Sequence, residues 1–239
     1  MLKISHFLPS KRISNRDLET LGLSDNKIFE KTGIRDRFIC SEGEFALDLA
    51  FNSAEKLFKT YNINRKNIDY LIYCTQSPDF IIPNNASILQ TKLKLRNSIG
   101  AIDINQGCSG YIYGLSLAQG IILSGQANTV LIITADCWSK YINEKDKSTK
   151  LIFGDGASAT LMDRSDTKRF EHFIFGTDGQ GADNLCVKTS GLRFAHLRGH
   201  AIEWSDAAGN LRNDDYLFMN GPEIFNLLLG LSHLLCMIY

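Results

Sequence analysis

Cys108 stands where nucleophilic chemistry is possible. The segment reads Ala101-Ile102-Asp103-Ile104-Asn105-Gln106-Gly107-Cys108-Ser109-Gly110-Tyr111-Ile112-Tyr113-Gly114-Leu115. A short β-type run ends in a polar, glycine-bearing turn. The cysteine sits in that turn, and a helical pattern starts directly after it. A thiol at a helix start faces unpaired backbone N–H groups and the positive end of the dipole, which favour negative charge. The expectation is a depressed thiol pKa and a larger share of thiolate, the nucleophilic form. Gly107 and Gly110 permit close approach of backbone and substrate. The alternative is a buried cysteine acting as a small hydrophobe.

The elements that would position this thiol are legible as patterns. Ser41-Glu42-Gly43-Glu44 has the form of a capping box opening a helix. Leu47, Ala50, Ala54, Leu57, Phe58 and Tyr61 then recur at helical spacing. Asp69–Thr75 and Ile99–Ile104 read as strands, and Asn84–Leu95 reads as a helix entered after Pro83. Ser109–Ser124 reads as a helix stopped by Gly125. Thr129–Thr134 is nearly all apolar, as in a sheet covered on both faces. Ala157–Met162 reads as a further strand, preceded by a Gly154-Asp155-Gly156 turn whose glycines would permit positive φ. Alternating strands and helices predict an α/β fold with a mostly parallel sheet.

Composition narrows the function classes. The 239 residues can bury one large or two modest cores. There are 26 basic and 26 acidic side chains, so no global charge draws the chain to nucleic acid or an anionic membrane. No run of about 18 apolar residues predicts a membrane span. The cysteines at 40, 74, 108, 137, 186 and 236 form no CxxC pair, which predicts no zinc site and no disulfide scaffold. Reduced thiols and a cytoplasmic location are the expectation. The GxxxxGK[ST] phosphate loop is absent.

Gln106 to Leu115 resembles the nucleophile motif of the β-ketoacyl-acyl-carrier-protein synthase III family, condensing enzymes of the thiolase superfamily. Further matches follow in the family's order. They are Leu8-Pro9 with Ser14–Leu18, Thr32–Arg37, Pro83–Gln90, Phe153–Ala157 and Met219–Phe225. The resemblance implies a thiolase-like layered α/β fold of two similar halves. Residues 1–165 would be the complete N-terminal half carrying the nucleophile. Residues 166–239 would begin an incomplete C-terminal half, with Phe170–Gly176 as its first strand, a loop region over 178–215 and a helix from Pro222.

The same resemblance implies the chemistry. Cys108 would accept an acyl group from coenzyme A or acyl carrier protein, with no permanently bound cofactor and no metal. A malonyl-carrier-protein would then lose carbon dioxide and attack the acyl-Cys. Pro78, Ile82 and Pro83 would line the acyl pocket; the alternative for them is a plain loop-to-helix entry. A homodimer is implied. The family's His and Asn for the second step fall beyond Tyr239. His6, His172, His196, His200 and His233 match neither and read as surface or structural histidines. Asn226–Tyr239 carries no acidic residue, Lys or Arg, which predicts a frameshift or premature stop shortly after Phe225. An inactive fragment or pseudoenzyme, at most a dimer partner, is therefore the alternative reading.

Three family positions depart. The Trp that stacks on adenine is Lys27 here, and two family Arg, the second of them facing the adenosine phosphate, are Lys31 and Lys147. Lysine meets phosphate as a point charge without arginine's fork, and the lost Trp removes a stacking face. These changes favour acyl carrier protein over free coenzyme A as donor. The alternative for both Lys31 and Lys147 is a solvated surface charge.

Overall fold

The computed structural model describes residues 2–165, 170–207 and 209–238 of the chain. Its elements are β1 Lys3–Phe7, β2 Lys11–Ser14, α1 Asp25–Thr32, β3 Asp36–Ile39, α2 Ala46–Tyr61, β4 Tyr70–Cys74, α3 Asn85–Lys92, β5 Gly100–Ile104, α4 Gly110–Leu123, β6 Thr129–Cys137, α5 Lys147–Lys150 and β7 Asp155–Asp163. Two-residue strands β8 Leu185–Cys186, β9 Trp204–Ser205, β10 Leu211–Arg212 and β11 Phe218–Met219 follow, then α6 Gly221–Ile238. Contacts divide the chain into two compact units. Unit 1 holds residues 1–12, 38–138 and 154–174, and unit 2 holds residues 13–37, 139–153 and 175–239.

Unit 1 is built on a five-stranded sheet in the order β1-β7-β6-β4-β5. The period of two along each strand sends alternate side chains to opposite faces. Leu71, Tyr73, Leu131, Ile133, Ala159 and Leu161 pack on one face with α2 and α3. Ile72, Val130, Ile132 and Met162 pack on the other with Leu115, Ala118 and Ile122 of α4. Coverage of both faces explains the continuous apolar run in β6. Each fully buried Leu or Ile here contributes roughly 1.5–3 kcal/mol.

Four expectations need correction. The sheet is mixed: β5/β4 and β4/β6 are parallel, whereas β6/β7 and β7/β1 are antiparallel. The connection from Cys137 to Asp155 contains no helix longer than the one-turn α5, and β7 returns antiparallel beside β6. Helix α2 opens at Ala46, not at Ser41. The Ser41 N–H does reach Glu44 Oε2 at 3.1 Å, but Gly43 has φ +77°, which no helix turn accommodates. The opening is instead tied by the Phe45 N–H to Asp48 Oδ2 at 3.2 Å. Phe170–Gly176 forms no strand. The Phe170 N–H and C=O are both taken by the side-chain amide of Gln119, at 2.9 and 2.8 Å. Gly154 and Gly156 have no positive φ. Gly156 lies within β7 opposite Asp136, and a Cβ there would stand 3.2 Å from Leu8 Cδ2.

Unit 2 is stitched by side chains more than by sheets. Leu18, Ile28 and Leu151 form a small core backed by Ile13, Leu21 and Leu23. Buried Arg37 donates to Asn15 Oδ1 at 2.6 Å and to the Leu151 carbonyl. Asn15 in turn donates to the Ile34 carbonyl at 2.9 Å. Residues 178–215 are the loop region expected, punctuated by 3-10 turns and two short strand pairs. The side chains of Leu228 and of residues 231–238, most of the Leu-rich tail, lie outside the described residues.

Candidate active site

The parallel strands β4 and β5 end side by side, at Cys74 and Ile104, and the Thr75 N–H extends their ladder to the Ile104 carbonyl at 3.1 Å. In α/β sheets such carboxyl ends are where ligands meet helix N-termini. The chain leaves β5 through Asn105–Ser109 and enters α4 at Gly110. Cys108 sits in that turn and is exposed, which removes the alternative of a buried structural thiol. The Gly110 N–H bonds the Gly107 carbonyl at 2.8 Å, and the Cys74 thiol donates to the Gln106 carbonyl at 3.3 Å. A Cβ on Gly110 would lie 2.4 Å from Cys74 Sγ and 3.3 Å from Gln106 Cβ. Only glycine allows the helix to start this close to the strand end.

A second turn lies beside the first. Asp136, near the end of β6, accepts four hydrogen bonds at Oδ1: Thr75 Oγ1 at 3.0 Å, Gln76 N at 2.8 Å, Ser77 N at 3.0 Å and Ser77 Oγ at 2.9 Å. Ser77 Oγ also accepts the Cys137 N–H at 2.8 Å. One carboxylate thus fixes the backbone of Thr75–Ser77. Burial raises its pKa, and these hydrogen bonds counter the rise only in part. The turn carries the Gln76 side chain over Gly107, where a Cβ would meet Gln76 Oε1 at 2.6 Å. A side-chain amide is therefore held one residue from the thiol.

The same loop then carries the residues expected to line a pocket. Asn85 closes it, accepting the Phe80 N–H at 3.2 Å and donating to the Phe80 carbonyl at 2.8 Å. Asp103 of β5 holds the start of α3 by accepting the N–H groups of Asn85 at 2.7 Å and Ala86 at 2.6 Å. The loop tip presents Phe80, Ile81 and Ile82, with Ile82 87% exposed and joined to Pro83 by a cis peptide. Ile82 and Pro83 thus share a loop with Gln76 but lie open, not enclosed.

The remaining described thiols differ from Cys108 in kind. Burial pushes Cys74 up to about 11, helped by the charge of Asp136. The Cys40 hydrogen bond and burial raise Cys137 far above the usual thiol range, and burial raises Cys186. Brief iodoacetamide treatment at pH 7 should therefore label Cys108 first, by about tenfold or more over Cys74 and Cys137. Peptide mapping reads this, and even labelling of all three would contradict the assignment.

Lys31 and Lys147 fall in unit 2. Lys31 lies in the last turn of α1 and is exposed; Lys147 begins α5 and is half-buried. Among the described residues neither makes an ion pair. The frame beneath Lys147 is well built. Asp146 caps α5 through the Ser148 N–H at 2.8 Å and pairs with buried Arg212, which also bonds Asp206 at 3.0 Å. A cavity of ≈ 320 Å³ opens there, lined by Lys188, Trp204, Arg212, Asp214, Tyr216 and Phe218 among others.

Burial would raise the Asp206 carboxyl, but Asn210 and Arg212 outweigh it and hold it down at about 2. A depressed acid contributes stability above its unfolded pKa, about 3.9, and loses it as pH falls through 2. Trp204 pairs with Arg212 across β9 and β10 and reports this corner. Its fluorescence in a Trp138→Phe background should change between about pH 4 and pH 2. The change should move to higher pH in Asp206→Asn; an unmoved transition would show that Asp206 does not drive it.

Sequence reasoning singled out Cys108 and its glycines as candidates. It missed Gln76, Ser77, Asp103, Asp136 and the Arg212–Asp146 pair. Their partners lie up to 66 residues apart, and only the Ser/Asp placement at strand ends hinted at them.

The family model described as 3-Oxoacyl-[acyl-carrier-protein (ACP)] synthase III matches residues 102–179. The chain is 38% identical over 184 residues to beta-ketoacyl-[acyl-carrier-protein] synthase III 2 of Halalkalibacterium halodurans, covering 76% of this chain and 55% of that protein. It is 35% identical to the synthase III of Chlamydia caviae, covering 92% and 63%. Among solved structures, a 3-oxoacyl-(acyl-carrier-protein) synthase III crystal structure aligns with TM-score 0.91 at 44% identity, over 95% of this chain and 68% of that one. The 3-oxoacyl-(acyl-carrier protein) synthase of Burkholderia xenovorans aligns with TM-score 0.86 at 33% identity, over 99% and 67%. The chain thus spans 55% and 63% of the length of the two curated relatives.

Proposed function

Since this chain belongs to the β-ketoacyl-[acyl-carrier-protein] synthase III family and has its thiolase-like fold, we propose that it accepts an acyl group on Cys108 from an acyl thioester. The exposed thiol at the start of α4, inside the matched block, carries this reading. The N–H groups at that helix start favour negative charge there. The Cys108 N–H is assigned to the oxyanion hole, where one donor contributes about 3 kcal/mol. The thioester C–S bond breaks, the donor leaves as free thiol, and an acyl-Cys remains. Attack by a decarboxylated malonyl-carrier-protein completes a Claisen condensation in the same proposal. Ile82 and Pro83 serve as part of the acyl pocket.

Residues 1–165 are taken as the nucleophile-bearing half and 166–239 as the start of the second. The protein acts as a cytoplasmic homodimer with acyl carrier protein as partner. Among the described residues no helix is long and apolar enough to cross a membrane. The inactive-fragment alternative is not favoured, because the similar relatives are named as synthases. The test is thiol release: mixing chain and acyl-coenzyme A should free one equivalent of coenzyme A per active chain, and iodoacetamide pretreatment should prevent it. No release from either coenzyme A or carrier-protein thioesters would overturn the reading.

Lys31 and Lys147 are assigned to the donor's phosphate. Lys147→Glu should raise the half-saturating acyl-coenzyme A concentration about tenfold, more at low salt, with the saturated acylation rate unchanged. A changed saturated rate with an unchanged half-saturation point would place Lys147 elsewhere in the mechanism.

A further inference from the structure

Cys40 and Cys137 lie together in the core of unit 1, 97 residues apart in sequence, with Sγ atoms 2.9 Å apart. Cys40 follows β3, and Cys137 ends β6. They are 6% and 2% exposed. The Cys40 N–H is anchored on Asp155 Oδ2 at 2.7 Å, and the Cys137 N–H on Ser77 Oγ at 2.8 Å. Backbone anchors on both residues hold the two sulfurs against each other. The proposed acyl transfer uses neither thiol.

We propose that Cys40 and Cys137 are an oxidation site, converted by a small peroxide into an intramolecular disulfide. One sulfur attacks the peroxide O–O bond, giving a sulfenic acid and one water. The second thiol then displaces the sulfenic oxygen, which leaves as a second water once protonated. Two S–H bonds are lost and one S–S bond forms; the sulfurs together give up two electrons and hydrogen peroxide takes them. Burial of both thiols slows the first step and excludes bulky reagents. Enforced proximity favours the second step over further oxidation of the sulfenic acid.

With Asp155 the two thiols also make a compact group of three side chains that could ligate a metal. A zinc ion would need both sulfurs as thiolates. The Cys40 hydrogen bond, burial and the charges of Asp155 and Asp79 all work against a Cys137 thiolate. Through Ser77 the pair stands one hydrogen bond behind the turn that carries Gln76.

The experiment uses the full chain with Cys108→Ser, which removes the exposed thiol. Native protein is treated with hydrogen peroxide, quenched with catalase, denatured, blocked with N-ethylmaleimide and digested without reductant. One linked peptide pair joining residues 40 and 137, two hydrogens lighter than the separate thiols, is expected. It should disappear on reduction and be absent from a Cys40→Ala chain. Maleimide on both residues while other cysteines are oxidised would overturn the proposal. So would separate sulfinic acids at 40 and 137. One equivalent of zinc in the isolated chain, released by a mercurial from these two residues, would overturn it in favour of a metal site.

Discussion

Replacing Cys108 by serine reduces acyl uptake by about 10³-fold or more. The substitution exchanges sulfur for oxygen at an exposed turn position, so packing and stability should stay within about 0.5 kcal/mol of the parent. The chemistry changes much more. A thiol supplies some thiolate near neutral pH, and a serine hydroxyl needs a base to become nucleophilic. The helix-start N–H groups remain, so binding of the donor and polarisation of its carbonyl survive. Release of free coenzyme A thiol measures the loss directly. Uptake at the parent rate would mean that another residue takes the acyl group.

The second large effect falls on a residue that does not touch the acyl group. Asp136→Ala should cost about 3 kcal/mol, because it strands donors that now share one carboxylate. For a unit of this size that is a fall of roughly 6–12 °C in Tm. Acyl uptake should fall as well, since the Thr75–Ser77 turn then no longer holds Gln76 over Gly107. Asp136→Asn keeps an acceptor oxygen and should recover most of the stability. Equal melting of the parent and Asp136→Ala would show that the turn is fixed by backbone packing alone.

The strands β4 and β6 and the helix α4 were legible because local pattern and tertiary role agree there. Apolar runs mark a sheet covered on both sides, and Gly107 and Gly110 flag a close approach. Where they disagree, the pattern misleads. The Ser41 N–H reaches the Glu44 carboxylate as in a capping box, yet the left-handed Gly43 between them blocks a helix. Phe170–Phe175 alternates like a strand, but Gln119 claims the backbone groups of its first residue. The four-bond knot at Asp136 and the Cys40–Cys137 contact join segments some 60 to 97 residues apart. No local periodicity encodes such pairings; they exist only once the sheet order is set.

The central claim is that Cys108 takes the acyl group. Mass spectrometry of the peptide containing Cys108, after brief incubation of the full chain with acyl-coenzyme A or acyl carrier protein, tests it most directly. The account predicts one acyl group on Cys108, removed by hydroxylamine as a thioester is, with Cys74, Cys137 and Cys186 unmodified. An acyl group on another residue, with Cys108 left free, would contradict it.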